Sequence, residues 1–259
     1  RMHLQSAGHP RGAAACEGAY VRLVDINGSE AKRLKLLEAI QNPDCGWFYR
    51  RDADTFKQIP GTPIAYWLGK GARLSFKEGV PLSAISSLAQ GLKCGDTDLF
   101  VRCWFECSDR DILGIIGDPS QAKWHFMLDG GDYRKWSGNQ IDVVNWQDDG
   151  YEIKTNRDNN GKVRARVQNE KFYHKSGALT WSALTSGPIS VRSCSDNSLC
   201  GGAGYYIVPT KQEDKLFIFG LLNSSTAQYI KLALSPTLNN EVGDLKRIPV
   251  HGMDSSNEE

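Results

Sequence analysis

The 259-residue chain sets 31 Lys and Arg against 30 Asp and Glu, a formal net charge of +1, so any contact with nucleic acid needs a local basic face rather than a global field. Hydrophobic residues make up 40% of the chain, enough to bury a core and too many for intrinsic disorder. Apolar runs fall well short of the roughly 18 residues of a membrane span, and the opening RMHLQSAGHPRG lacks a signal peptide's apolar core and looks like a cut end.

Residues 1–17 are small and polar and are expected to be poorly ordered, as are residues 251–259. GAYVRLVD, over 18–25, alternates like a strand. The periodicity of SEAKRLKLLEAI predicts a helix over 29–40, capped by Ser29, with Leu34, Leu37 and Ile40 facing inward. Residues 59–67 are expected to enter a further helix, with Pro63 in its first turn. From Leu82 to Val208, short apolar runs punctuated by Gly, Asp, Asn and Ser read as a mostly β, loop-rich domain. Strands are expected over 99–105, 141–146, 189–192 and 205–208, and Asp158-Asn159-Asn160-Gly161 is a turn signal. Leu216, Phe219, Leu222, Ala227, Ile230, Ala233 and Leu234 then recur at helical spacing. Gly220 and Asn223-Ser224-Ser225 interrupt that stripe, predicting two short helices, the second capped by Ser224 or Ser225 and stopped by Pro236.

Several stretches together carry a resemblance. In chain order they are GAYVRLVD, EAIQNPDCGWFYRRDADTFKQIPGTPIAYWL, QGLKCGDTDLFVRCW, GGDYRKWSGN, VVNW, RARVQNE, GALTWS, LLNS, SPTLN and VGDLKRIPV. Over 18–250 this series resembles the region that follows the catalytic core in BREX-type, PglX-like adenine-specific DNA methyltransferases, which are related to type I and type IIG restriction-modification specificity domains. The resemblance implies an α+β fold: a type I specificity-subunit-like target-recognition domain, with a twisted, mostly antiparallel β-sheet and flanking helices, over 81–250. It implies that 18–80 are the end of a methyltransferase domain and a short helical connector. It further implies S-adenosylmethionine as cofactor of the missing catalytic domain and none in this chain. The implied partners are double-stranded DNA, that missing domain and other proteins of a phage-defence system, in the cytoplasm and without a membrane.

The residues themselves nominate no catalytic, cofactor-binding or metal-binding group. An amino-methyltransferase needs an [N/D/S]-P-P-[Y/F/W] loop, whose polar groups accept the adenine amine's hydrogens while the aromatic stacks on the flipped base. Asn42-Pro43-Asp44-Cys45 supplies its first two letters alone. Gly69-Lys70-Gly71 and Gly201-Gly202-Ala203-Gly204 do not clearly join a strand to a helix as a cofactor turn requires. The seven cysteines show neither zinc-ribbon nor disulfide-scaffold spacing, so free, mostly buried thiols are expected. Asp142 with Glu152-Ile153-Lys154 has a nuclease-like order, though a charged, solvent-facing strand explains it more simply.

What remains is DNA readout, in which cations hold phosphates and Arg, Asn or Gln pair with base edges. Arg164, Arg166 and Gln168 alternate and would share one face of a strand, with Asn169 adding a second adenine-reading amide. Lys93, Thr97 and Arg102 lie beside a glycine loop, Lys135 adjoins Trp136, and Lys175 ends the basic stretch. These ten residues are the candidate DNA contacts. The alternatives are a Mg-dependent restriction-endonuclease-like domain and a protein-interaction scaffold of the defence complex.

Overall fold

The computed structural model describes residues 17–185, 187–235 and 237–252, so the expectations for residues 1–16, Pro236 and 253–259 lie outside it. The chain divides into two compact units, with Gly79 ending the first and Val80 beginning the second.

In the first unit, β1 (Glu17–Val21) pairs antiparallel with β2 (Phe48–Asp52), with Tyr20 opposite Tyr49. The strand is shorter than expected because the chain turns at Val24 and Asp25. Helix α1 (Ser29–Gln41) forms, but Gly28 takes the cap position at φ 85° and no side chain caps it. Leu34, Leu37 and Ile40, expected to face inward, are 53, 45 and 65% exposed. The Trp47 indole N–H donates to the Lys35 carbonyl, and the Lys35 ammonium lies 4.2 Å from that ring's centroid. The chain therefore covers the side carrying Lys35 and the buried Ala39, and turns the leucines outward. The expected helix over 59–67 is absent, since Pro63 disfavours helical backbone at Thr62, which sits at φ 49° after Gly61 at φ 86°. Helix α2 (Lys70–Glu78) starts later.

In the second unit, β3 (Val80–Pro81) pairs with β12 (Pro249–Val250). Between them run β4 (Ser86–Gln90), β5 (Val101–Cys103), β6 (Trp124–Leu128), β7 (Asp142–Asn145), β8 (Leu179–Ser182), β9 (Val191–Ser193), β10 (Ser198–Cys200) and β11 (Gly204–Pro209). The class is α+β, but the expected one sheet is two four-stranded sheets. In the first, ordered β4-β11-β8-β9, all pairs are antiparallel; in the second, ordered β10-β6-β7-β5, β10 runs parallel to β6. The short Gly201-Gly202-Ala203 turn carries the chain from one sheet into the other, which divides them. One apolar cluster joins Ala89, Leu128, Phe172, Cys200, Tyr206 and Val208, and a second joins Leu92, Phe100, Met127, Val144, Trp146 and Ile153.

Five helices accompany these sheets among the described residues: α3 (Thr97–Phe100), α4 (Gln147–Thr155), α5 (Lys215–Leu222), α6 (Ser225–Leu234) and α7 (Val242–Leu245). The strand expected over 99–105 shrinks to β5. The Asp96 carboxylate accepts from Leu99 N at 3.1 Å and caps α3, so local capping overrides the apolar run. Glu152, Ile153 and Lys154 lie in α4 rather than on a strand. The α5–α6 break falls at Asn223 and Ser224, where the Ser224 hydroxyl accepts from Ala227 N at 3.1 Å, while Leu216 points outward.

The buried Asn223 amide accepts from Val191 N and donates to the Val191 and Phe219 carbonyls. Gln228 repeats this on Ile189, accepting from its N–H at 3.0 Å and donating to its carbonyl at 3.2 Å. Two side-chain amides thus take hydrogen-bonding positions beside the outermost strand β9, where a further strand would otherwise pair.

Candidate nucleic-acid interface

The strand registers place Gln90, Ser182 and Gly204 at one end of the first sheet, while Leu128 and Cys200 end their strands in the second. Contacts between the loops leaving these ends bring both sheets' ends together. Leu92 N donates to Cys200 O at 2.8 Å, and Gly201 N to Leu128 O at 2.9 Å. Asp129 Oδ1 accepts from Ala203 N at 2.6 Å.

Lys93 and Arg166 meet here in an antiparallel bridge, exchanging backbone bonds of 2.8 and 3.2 Å. Both side chains are exposed, and the Lys93 stem lies over Gly202. Residues 162–168 are not a strand, because the segment pairs through single bridges at Val163 and Arg166. The backbone is still extended enough to alternate. Ala165 and Val167 pack inward against the second core cluster, while Arg164 and Arg166 are exposed. Arg164 lies 3.7 Å from the Asp96 carboxylate and its Nε donates to Arg157 O. Thr97, next to Asp96, opens α3 and is exposed.

The other candidates are engaged within the chain or lie elsewhere. Gln168 leaves the expected common face: its amide donates to Gln90 Oε1 and Gly91 O. Asn169, left-handed at φ 58°, donates to Gln90 O at 2.9 Å. Arg102 folds back onto the Asp98 and Val101 carbonyls. The Lys135 ammonium donates to Asn223 O at 2.6 Å, which terminates α5. Lys175 is exposed near the start of β8, the end opposite Ser182. Trp136 sits in the β6–β7 loop, 53% exposed.

The nuclease-like carboxylates do not converge as expected of a metal site. Glu152 accepts from Asn145, Lys154 is held by Asp149 and Glu170, and no group of three metal-ligating side chains occurs among the described residues. Asp142 instead lines a cavity of about 490 Å³ with Asp129, Asp132, Arg134, Asn139 and Gln140. The six described cysteines are free, three of them buried.

Sequence reasoning passed over a histidine pair. His125 Nδ1 and His174 Nε2 are 2.8 Å apart beside the left-handed turn at Asp148 and Asp149. Burial, with His174 alongside, pulls His125 from 6.5 down to about 4. Between those values the unfolded chain binds the proton and the folded chain does not, so stability falls as pH drops from about 6.5 towards 4. Urea titrations should show a loss of about 1–2 kcal/mol across that window, discounted for partial solvent screening. The His125→Gln variant should give a flatter profile, and an unchanged profile would refute the assignment.

No protein-family model matches the chain. It is 34% identical over 238 residues to adenine-specific methyltransferase PglX of Lacticaseibacillus casei (strain Zhang), covering 90% of this chain and 20% of that protein. It is 33% identical over 239 residues to adenine-specific methyltransferase BrxX of Escherichia coli O9:H4 (strain HS), covering 89% and 18%. The chain spans about a fifth of the length of the curated relatives it matches. A solved structure of the type IIL restriction-modification enzyme MmeI in complex with DNA aligns with a TM-score of 0.38 and 16% identity, over 66% of this chain and 24% of that one. The resemblance read from the sequence is borne out: this chain is related, along most of its length, to one segment of the adenine-specific methyltransferases PglX and BrxX.

Proposed function

We propose that this chain is the DNA-reading segment of an adenine-specific DNA methyltransferase, with residues 81–250 as a specificity-type target-recognition domain and 18–80 as the connector from the catalytic part. S-adenosylmethionine would be held by the part of such a protein lying outside this segment, and the setting would be cytoplasmic. The observation that carries the reading is the extended strap 162–166, with Arg164 and Arg166 exposed beside Lys93 where both sheets end. A cation cluster on backbone anchored to the core can follow a phosphate chain, which supplies affinity and register, while base discrimination falls to neighbouring loops. Lys93, Thr97, Arg164 and Arg166 are the contacts this arrangement favours. The amides of Gln168 and Asn169 hold the strap in place.

Binding to duplex DNA should be weak and salt-dependent, because the formal charge of the chain is +1. If about four to six phosphates are neutralised, log K should fall against log salt with a slope of about −4 to −5. Arg166→Ala or Lys93→Ala should each make that slope shallower by about 1 and weaken all sequences alike. Fluorescence anisotropy across a salt series reads this. No binding at low salt, or the same slope in both variants, would refute the proposal.

A further inference from the structure

The loop from Asp129 to Ile141 joins two antiparallel neighbours, β6 and β7, which a two-residue turn could connect. Its length is matched by unusually complete fastening. The buried Arg192 donates to the Gly130 carbonyl at 3.4 Å, and the Ser182 hydroxyl donates to the Gly131 carbonyl at 3.2 Å. Asn139 donates to the Asp132 carbonyl at 2.8 Å, and Lys135 is tied to Asn223. Trp136 N donates to Val191 O at 3.2 Å, and its carbonyl accepts from Ser193 N at 2.9 Å. Surplus length held this firmly is a built presentation loop rather than slack.

Trp136 is the bulkiest of the described non-glycine residues held at positive φ, at 75°. A large side chain is disfavoured there, and glycine or asparagine would meet the backbone's need more easily. The fold thus sets an indole, 53% exposed, at a position whose geometry does not call for it. Phe219 braces it edge-on at 5.0 Å and 81°. Tyr133 is likewise 53% exposed and Arg134 is exposed over Gly138 in the lining of the Asp129–Asp142 cavity, whereas the Lys135 ammonium turns inward. The loop therefore offers two aromatic faces and one cation to solvent. Its root at Asp129 lies beside the Lys93 strap through the Gly201–Ala203 turn, and Trp136 is held at the outer edge of β9, across the first sheet from β4.

We infer that Trp136 stacks on a nucleobase and enters the duplex where stacking is interrupted, with Arg134 on an adjoining phosphate. Flat π-faces suit any base, and an interrupted stack removes the cost of opening one. The inference rests on the DNA-reading proposal above, and the test separates the two. The intact chain is titrated, at one salt concentration, with a fully paired duplex and with the same duplex carrying one abasic site.

The wild-type chain should prefer the abasic duplex by about tenfold, the scale of one stacking contact. Trp136→Asn, which suits a left-handed position, should reduce that preference to within about twofold. Trp136→Phe should retain most of the preference. Thermal melts check folding, and Trp136→Gly replaces the asparagine variant should it fail to fold. Binding of both duplexes equally by the wild type, or a preference that survives loss of the indole, overturns this inference while leaving the DNA reading in place. Binding of neither duplex at low salt overturns the DNA reading and this inference with it.

Discussion

Gly91→Ala should destabilise the second unit by about 3–5 kcal/mol, among the largest effects a single methyl group can have. A Cβ at Gly91 would lie 2.1 Å from Cys200 O, 2.3 Å from Gly201 O and 2.5 Å from Cys200 C. All three are backbone atoms, so no rotamer change relieves the overlap. They also hold the junction of the two sheets, where Leu92 N donates to Cys200 O. The glycine is required for space, since its φ is not in the left-handed region. Gly204 is a parallel case, with Leu128 O 1.8 Å from the position of its Cβ. Urea denaturation of Gly91→Ala against wild type measures the effect, and a midpoint within error of wild type would show that the junction yields more easily than its geometry implies. Gly161→Ala is the contrast: open space surrounds that position, and strain arises only from its φ of 78°. The cost there should be about 1 kcal/mol.

Asn223→Ala should cost about 2–4 kcal/mol, because it strands polar groups of a buried strand edge. The Val191 carbonyl keeps its bond from Trp136 N, but Val191 N–H loses the acceptor that Asn223 supplies. The Phe219 carbonyl also loses a donor near the end of α5. Gln228→Ala removes the equivalent pair on Ile189, but from a half-buried position that water can reach, and should cost only about 1 kcal/mol. Hydrogen exchange at Val191 and Ile189 gives a local readout. Protection factors unchanged at Val191 in Asn223→Ala would contradict the edge-closing role.

Sequence periodicity located the elements better than it oriented them. The C-terminal helices and the Ser224 cap were legible because cap chemistry and apolar spacing agree there. Helix α1 was legible in extent and inverted in orientation. Spacing shows which residues share a side, whereas which side is covered depends on Trp47, a residue outside the helix. The strand over 99–105 failed because the Asp96 cap acts before the apolar run begins. The candidate site was legible as charge and not as partnership. Arg164 and Arg166 alternate outward as their spacing implies, yet Gln168, Asn169 and Lys135 bind carbonyls 77 to 88 residues away, which no local pattern reports, and Arg102 folds back onto the neighbouring Asp98 and Val101 carbonyls. The glycine strings hid a further distinction. Gly91 and Gly204 answer close backbone approach, and Gly130, Gly131 and Gly138 answer positive φ, but both kinds read alike in a sequence.

The shared loop end of the two sheets also sets how this surface can vary. The strands that launch residues 91–96, 129–141 and 201–203 have their register fixed by β-pairing and by the contacts at Gly91 and Gly204, several residues away from the loop tips. Length added at Tyr133 and Arg134, between these fastenings, costs mainly closure entropy, which grows by only about 0.6 kcal/mol for each doubling of loop length. Length added across Lys135 or Trp136 would instead unseat their bonds to Asn223 and to β9. Tyr133 and Arg134 can therefore change in composition at little thermodynamic cost, whereas Lys135 and Trp136, tied to Asn223, Val191 and Ser193, and the glycines on either side are held in place. Tolerance to change is thus confined to the exposed tip, and constraint to the fastened positions on either side of it.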